Sequence, residues 1–517
     1  MILKVSLVLH AAVAFLLIPW IGFELFPRAD AGNFSIHLRG KTGLRVERMA
    51  AISEQVQAQL KNVIPSHDLK MLISNTGVFY GYSAAFTRNS GPQDAFINVE
   101  LTDDRAHTSQ EYAKIIRRDF PTLFPETEFS IELGGLMTSA LNGGIASPID
   151  VQITGLDSRQ SRQMAESLLP KIKKLSGATD VRIQQRFDAP VLEINLDRHK
   201  VSDYGLTPDI VVKNLVSAVS NSSSYNQQVW VDPKSGIDYQ LGVQYPENSF
   251  LSKEQILSIP IISPEQERSV RLSQLATIGT SLASTEMNHL NLQPTINIFA
   301  DAQDRDIGGL SNEIQKLIEK ETPKPGYQIR LRGEISEIRH SIGALGFGFL
   351  MAACFIYLIL VAQFRSFLMP AIIMTNVPKG IVGVIIVLAL SKTYFSIQAA
   401  IGCIFVIGVS VSHSVLLLEF ILEKVKSSAQ REDGIVEASM ARLRPIMMTS
   451  LASILGLLPM ALGLGHGAEA NIPLGRAVIG GQLLSTFLNF YLLPCLYHQL
   501  TSAKKDQVNK TIETIAA

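Results

Sequence analysis

The sequence predicts a multi-span α-helical membrane protein, six transmembrane helices in all, with a large α/β exported domain set between the first helix and the other five. Three observations carry this. Apolar residues gather at the two ends of the 517-residue chain and thin out in the middle, although the averages, 47% hydrophobic and 18% charged, would also suit a soluble protein. The middle alternates strand patterns with helical ones. Basic residues collect in the loops on one side only.

The spans come first. Crossing roughly 30 Å of hydrocarbon takes about 20 mostly apolar residues, and the stretches 5–26, 341–362, 368–391, 396–421, 446–465 and 474–499 qualify. The first also has signal-peptide features, with Lys4 ahead of it and Ala29-Asp30-Ala31 behind. Its length, and Pro19 and Trp20 near the far end where an interfacial anchor belongs, favour an uncleaved span. Lys424, Lys426, Arg431, Arg442 and Arg444 follow the fourth span, Arg365 the second, and Lys504 and Lys505 lie in the tail. The opposite loops offer Lys392 and little else. The positive-inside rule therefore places both termini in the cytoplasm and residues 27–340 outside it, in the periplasm of a Gram-negative cell.

That exported middle reads as α/β. Phe34–Leu38, Ile97–Leu101 and Ile149–Ile153 alternate with the period of a strand, and helical patterns fall near 43–62, 108–119, 158–175, 208–219 and 309–321. Thr207 is a fitting N-cap for the helix that opens at Pro208. Strand–helix–strand order recurs, which suggests two ferredoxin-like βαβ subdomains. The first takes 27–147; the second takes 148–197 and 287–340, split by a β-rich docking insertion over 198–286. The polar run Asn221-Ser222-Ser223-Ser224 and the alternating 225–245 segment mark that insertion. Residues 1–26 form the first helix, 341–500 a five-helix bundle and 501–517 a cytoplasmic tail.

Several function classes fall away. A formal net charge of zero gives no support to nucleic-acid binding. Cys354, Cys403 and Cys495 all lie in apolar runs, which excludes a disulfide framework in the exported part. Gly40-Lys41-Thr42 imitates the end of a P-loop, yet Ser35 stands where its first glycine belongs. The ten histidines show no metal-ligand spacing, and no nucleophile–base pair emerges. The reading is of a non-enzyme without a bound cofactor.

Particular runs add a family resemblance. Arg442–Ser450 (RLRPIMMTS), Gly467–Gly481 (GAEANIPLGRAVIGG), Ala362–Phe367 (AQFRSF), Phe26-Pro27 with Asp30-Ala31-Gly32, and Pro148–Gln152 (PIDVQ) together resemble the C-terminal repeat of a resistance–nodulation–division (RND) efflux permease of the hydrophobe/amphiphile type. The similarity covers essentially the whole chain. It implies an efflux transporter in the bacterial inner membrane, an antiporter driven by the proton gradient, with a periplasmic porter domain exporting amphiphilic compounds or other small molecules. It also implies a trimeric assembly with a periplasmic adaptor and an outer-membrane channel, and pairing with an N-terminal RND half or self-association.

The same resemblance raises a difficulty. The family's paired aspartates belong to the other repeat, and its tenth-span lysine and asparagine are replaced in Gly408–Phe420 (GVSVSHSVLLLEF) by Ser412 and His413. Ionisable groups inside a span suggest function. Histidine titrates near neutral pH, so His413 is a proton-coupling candidate, alongside Ser412, Thr449, Lys379 within the third span, and Arg442 at a cytoplasmic helix start. Each has a plainer alternative: a hydrogen-bonded packing histidine, a back-bonded threonine, a snorkelling lysine, an arginine on lipid headgroups. Glu419, close to the cytoplasmic end, reads as solvated. Gly77–Phe86 (GVFYGYSAAF) resembles the family's cleft loop, which makes Phe79, Tyr80, Gly81, Tyr82 and Phe86 substrate-cleft candidates, with a packed β-turn as the alternative. Gly134–Met137 and Asn142–Gly144 form a second candidate wall, and Trp230 and Tyr225 suit docking to neighbours. Ala477 with Gly481, and Ala452 with Gly456, are small-xxx-small pairs for close helix packing. Competing readings of the whole are a non-transporting remnant or scaffold, and a six-span protein-export helper.

Overall fold

The computed structural model describes residues 12–13, 16–17, 21–28, 30–77, 89, 91–133, 147–246, 249–250, 252–262, 269–321, 325–427, 430–465 and 468–516, with 502–516 as backbone alone. These residues form two compact units, Arg186–Glu286 and the remainder.

In the larger unit the chain runs β1 (Asn33–Arg39), α1 (Val46–Val63), β2 (Leu69–Thr76), β3 (Asp94–Leu101), α2 (Ser109–Leu123) and β4 (Glu128–Leu133). The strands pair antiparallel in the order β2-β3-β1-β4. Register sets Ile36 opposite both Ile97 and Ile131. Onto that face α1 turns Met49, Ser53, Val56 and Leu60, and α2 turns Tyr112, Ala113, Ile116 and Phe120. Both sets fall along one face of their helix, the stripe an amphipathic helix buries. Thr108 starts α2 with a capping box: its hydroxyl accepts from the Glu111 amide, and the Glu111 carboxylate accepts from the Thr108 amide.

A second sheet repeats the plan. It is built from β5 (Ile149–Thr154), α3 (Ser158–Lys173), β6 (Ala178–Ile183), β7 (Asn288–Leu290), β8 (Gln293–Ala302), α4 (Ile307–Lys320) and β9 (Gln328–Gly333). Strands β6, β8, β5 and β9 lie in that order, the sequence of places seen in the first sheet, and β7 shares an edge of β8 with β6. The chain departs between β6 and β7 to form the Arg186–Glu286 unit. Its opening strand corrects one expected boundary. Residues 189–196 were expected in the second subdomain, but Ala189–Leu196 pairs antiparallel with Ala276–Ala283 inside the inserted unit. A period of two is the same whichever sheet takes the strand, so alternation alone does not locate it.

The inserted unit has its own core around Val201, Leu206, Val211, Ile261, Leu272 and Leu275. Thr207 caps Pro208–Val219 by accepting from the Ile210 amide. The hairpin Gln228–Val231/Asp238–Leu241 is exposed on both faces, with Trp230 and Tyr239 rings 5.9 Å apart.

From β9 the chain turns directly into α5 (Glu334–Phe364). Gly333 makes the turn at φ +95°, a conformation open to glycine, and a β-carbon there would meet the Pro148 carbonyl oxygen at 2.3 Å. Then follow α6 (Leu368–Met374), α7 (Asn376–Leu390), α8 (Ile397–Ser427), α9 (Arg431–Leu462) and α10 (Ile472–Ala516). Among the described residues, five segments are long and apolar enough to cross a membrane: Glu334–Phe364, Leu368–Leu390, Ile397–Ser427, Arg431–Leu462 and Ala468–Thr501. Most of the expected first span lies outside the described residues.

Residues 21–28 stitch the bundle to both sheets. Phe23 bridges Phe395 in parallel, the Phe395 amide donates to the Gly22 carbonyl (2.8 Å), and the Ile397 amide donates to Leu25 (3.2 Å). The Gly308 amide donates to the Phe23 carbonyl (2.9 Å), the Phe23 amide to Asp306 (3.1 Å) and the Leu25 amide to Glu334 (2.9 Å). Beyond them Arg28 pairs with Asp301 at 2.6 Å on β8, whose other oxygen lies 3.2 Å from Arg117 of α2. Arg117 also holds Asp180 of β6 at 2.6 Å. This chain of charges, with Arg28 its most exposed member, reaches from residues 21–28 to both sheets.

Candidate functional site in the membrane bundle

Helix α7 lies against α10 with almost no side-chain spacing. A β-carbon on Gly383 would fall 2.3 Å from the Gly480 carbonyl oxygen, and one on Gly481 would fall 2.6 Å from Val406 of α8. Ala477 is fully buried where α10 meets Gly402 of α8. Ala477 and Gly481 thus sit at helix contacts, as small residues in lipid allow. Ala452 and Gly456 do not: both are exposed, and nothing described lies within 4 Å of a β-carbon on Gly456. Their stripe on α9 turns away from the described bundle, so spacing identified small residues without identifying their partner.

These close approaches bring one polar side chain after another into an apolar interior. Asn376 donates from Nδ2 to Ser410 Oγ (2.6 Å) and to Ser414 Oγ (2.9 Å). Ser414 Oγ lies 3.2 Å from Asn489 Oδ1, joining α7, α8 and α10. Further along, Ser450 of α9 and Thr486 of α10 are 3.0 Å apart. Lys379, Gln482 and Ser485 are buried with them. Within this seam Asn376 Oδ1, Lys379 Nζ, His413 Nδ1, both polar atoms of Gln482, and Asn489 Nδ2 have no hydrogen-bond partner among the described residues.

The expected coupling residues distribute unevenly. His413 is buried, and its Nε2 lies 3.3 Å from Thr449 Oγ1. Thr449 also bonds back to the Ile446 carbonyl at 3.0 Å and the Pro445 carbonyl at 3.2 Å. Its one hydroxyl proton is used on a carbonyl, so it accepts from His413 Nε2–H, and the Nδ1 lone pair is left free. Lys379 belongs to the seam. Ser412 does not: neighbouring helix residues point about 100° apart, and with His413 turned inward Ser412 is exposed. Arg442 does not either. Its guanidinium stacks 4.6 Å over Phe420, two turns beyond His413, in a cluster with the Lys424–Glu437 pair (2.6 Å). Glu419 is exposed. The cleft candidates Phe79, Tyr80, Gly81, Tyr82 and Phe86, and the loops at 134–137 and 142–144, lie outside the described residues.

The sequence reading passed over Asn376, Ser410, Ser414, Gln482, Ser485, Thr486 and Asn489. A signal was present. Gln482, Ser485, Thr486 and Asn489 fall at i, i+3, i+4 and i+7 in an apolar span, one face of a helix, as do Asn376 with Lys379 and Ser410 with His413 and Ser414.

Chemically, the seam offers amide, hydroxyl, imidazole and amine groups, and none of the side chains that form it is a carboxylate. It can pass protons and hold polar ligands. Among the described residues no cluster of His, Cys, Asp and Glu suits a metal ion.

Comparison with known proteins now bears on this arrangement. The cobalt-zinc-cadmium resistance protein CzcA of Cupriavidus metallidurans is 26% identical over 522 residues, covering 99% of this chain and 48% of CzcA. The nickel and cobalt resistance protein CnrA of the same organism is 25% identical, covering 94% of this chain and 45% of CnrA. The chain spans about half the length of the curated relatives it matches. A heavy metal efflux pump solved by X-ray crystallography superposes with a TM-score of 0.81 at 22% identity, over 96% of this chain and 50% of the pump, and shows the shared fold. These relatives are transporters rather than enzymes, and the long apolar helices agree with a multi-pass membrane protein. With the model of the AcrB/AcrD/AcrF family matching residues 1–501, the chain belongs to that family of RND efflux permeases.

Proposed function

We propose that this chain is one half of an RND efflux permease that exports metal cations at the expense of the proton gradient. The observation that carries the reading is the buried polar seam: Lys379, His413 and Asn376 sit among unpartnered amides inside an otherwise apolar bundle. Intramembrane ionisable groups mark ion pathways by default. In this reading the protein has six spans in the bacterial inner membrane, and its two βαββαβ sheets are ferredoxin-like porter subdomains in the periplasm. A second repeat completes the bundle, and the whole works as a trimer with an adaptor and an outer-membrane channel. Residues 21–28 and the Arg28–Asp301–Arg117–Asp180 chain couple protonation in the bundle to movement of the porter domain. Cations replace the amphiphiles expected from sequence because the relatives above carry cobalt, zinc, cadmium and nickel in their names.

The test is co-expression with a second RND half in a bacterium stripped of its own RND pumps. Growth is scored against zinc, cobalt, nickel and cadmium, and against dyes and detergents. Raised tolerance to cations, lost in Asn376→Leu, supports the reading. Tolerance confined to dyes and detergents restores amphiphiles as the substrate class. No gain in either panel, with both halves present in the membrane, sinks a transport role.

A further inference from the structure

We propose that Lys379 is the proton carrier of this half: its side-chain nitrogen takes up a proton inside the bundle and gives it up again during each transport cycle. The inference rests on the proton-driven reading above and names the group that does the work. Lys379 is 7% exposed, and its Nζ has no hydrogen-bond partner among the described residues. Its place is fixed by contacts on either side. One residue on, a β-carbon at Gly380 would come within 3.9 Å of both the Gly481 carbonyl oxygen and Ser485 of α10. One turn back, Asn376 is tied to Ser410 and Ser414. Lys379 is therefore buried on α7 one turn from the Asn376–Ser410–Ser414 contacts, where α7 packs on α10.

The charged groups that could answer an ammonium there are few. Helix α6 carries no titratable residue. Helix α8 offers His413, one turn from Ser410, and Cys403 on the other side; its carboxylates, Glu419 and Glu423, lie at the cytoplasmic end. Helix α10 offers Tyr491 and Tyr497, with Arg476 and His498 towards its two ends, and its described side chains include no acid. An ammonium without a carboxylate is costly in such surroundings, whereas a neutral amine is tolerated. Unpaired Asn376 Oδ1 and Gln482 Oε1 are acceptors that an N–H bond can use once it forms. The step is simple: the amine lone pair forms an N–H bond with a proton arriving from one side, and an N–H bond breaks towards the other. No other bond changes. His413, held through Nε2 by Thr449, is the positioning neighbour on α8 and not the carrier.

Two measurements on the full-length chain paired with its second half separate this from the functional reading it rests on. The first labels lysine Nζ with nitrogen-15 in nanodiscs and follows, by solid-state NMR, the resonance missing in Lys379→Met. A signal that moves between amine and ammonium positions across pH 5 to 10 is expected; one that stays ammonium throughout overturns the proposal, whatever the protein exports. The second measures proton flux in proteoliposomes driven by a zinc gradient. Lys379→Met and Lys379→Arg are both expected to lower it on the order of a hundredfold, the lower end of what a positioned proton-transfer group supplies. Lys379→Arg matching the wild type, or Lys379→Met keeping the wild-type pH profile, rejects the carrier role. Absence of zinc-driven flux in the wild type, with a titrating Lys379 signal, faults the transport reading and leaves the carrier standing.

Discussion

Asp150 gives the second sheet a pH dependence whose sign can be worked out. The residue lies in β5, is buried, and accepts from Asn297 Nδ2 at 2.9 and 3.0 Å. Burial pushes its carboxyl up from 3.8 to about 6, while the Asn297 hydrogen bonds and the charge of Arg332 pull it part of the way back. The folded protein thus holds a proton over a range where the unfolded chain has lost it. Stability contributed at Asp150 is therefore highest below pH about 4, falls as pH rises, and reaches its floor above pH about 6. At about 1.4 kcal/mol per pH unit the fall is about 3 kcal/mol. Asp150→Asn keeps one acceptor for Asn297 and removes the charge. In detergent, thermal unfolding followed by circular dichroism is expected to show the variant melting above the wild type at pH 7.5, by roughly 5 to 10 °C for a domain of this size. At pH 4.5 the gap should shrink to about a third of that. Comparing variant with wild type at each pH cancels the other titrating groups. A shift of equal size at both pH values, or a variant that melts lower at pH 7.5, would refute the reasoning.

Two other perturbations probe different levels of the fold. Arg117→Ala leaves the Asp180 and Asp301 carboxylates buried with one cation removed, a loss of about 3–5 kcal/mol for a broken buried pair; a melting temperature unchanged at neutral pH would show that the charge chain does not hold the two sheets. Gly383→Val drives side-chain atoms onto the Gly480 backbone at a cost of at least about 1–3 kcal/mol, and it should show as loss of the monodisperse peak on gel filtration after mild heating. The same change at Gly456, which faces open space, is the matched comparison within this chain.

The parts of the fold legible in the sequence are those that depend on local periodicity. Helices expected near 43–62, 108–119, 158–175, 208–219 and 309–321 are found at 46–63, 109–123, 158–173, 208–219 and 307–320, because their apolar stripes and caps are written in neighbouring residues. What local pattern cannot supply is partnership. The strand at Ala189–Leu196 alternates as a strand should, yet its partner lies some 80 residues on, at Ala276–Ala283. In the membrane, searching for charge found Lys379 and His413 and missed the uncharged amides and hydroxyls buried with them. It also paired Ser412 with His413, although adjacent helix positions face different ways.

The seam has an energetic consequence that bears on why it exists. An unpaired polar atom in a buried site costs about 1–3 kcal/mol. Asn376, Lys379, His413, Gln482 and Asn489 all carry such atoms in the described bundle. Leucine at the same places would avoid those costs, and replacing buried polar groups by well-packed apolar ones is often neutral or stabilising. A seam kept for stability alone would have its donors and acceptors matched, as Asn376 is matched to Ser410 and Ser414. Instead, donors at Lys379 and Asn489 and acceptors at Asn376 and His413 are left open within the same few turns. Groups that are half-satisfied in one arrangement can be satisfied in another, so the cost is recovered when helices shift or a proton arrives. The open groups gather where α7, α8 and α10 meet, and the tight Gly383–Gly480 contact beside them leaves little room for one helix to move without its neighbour.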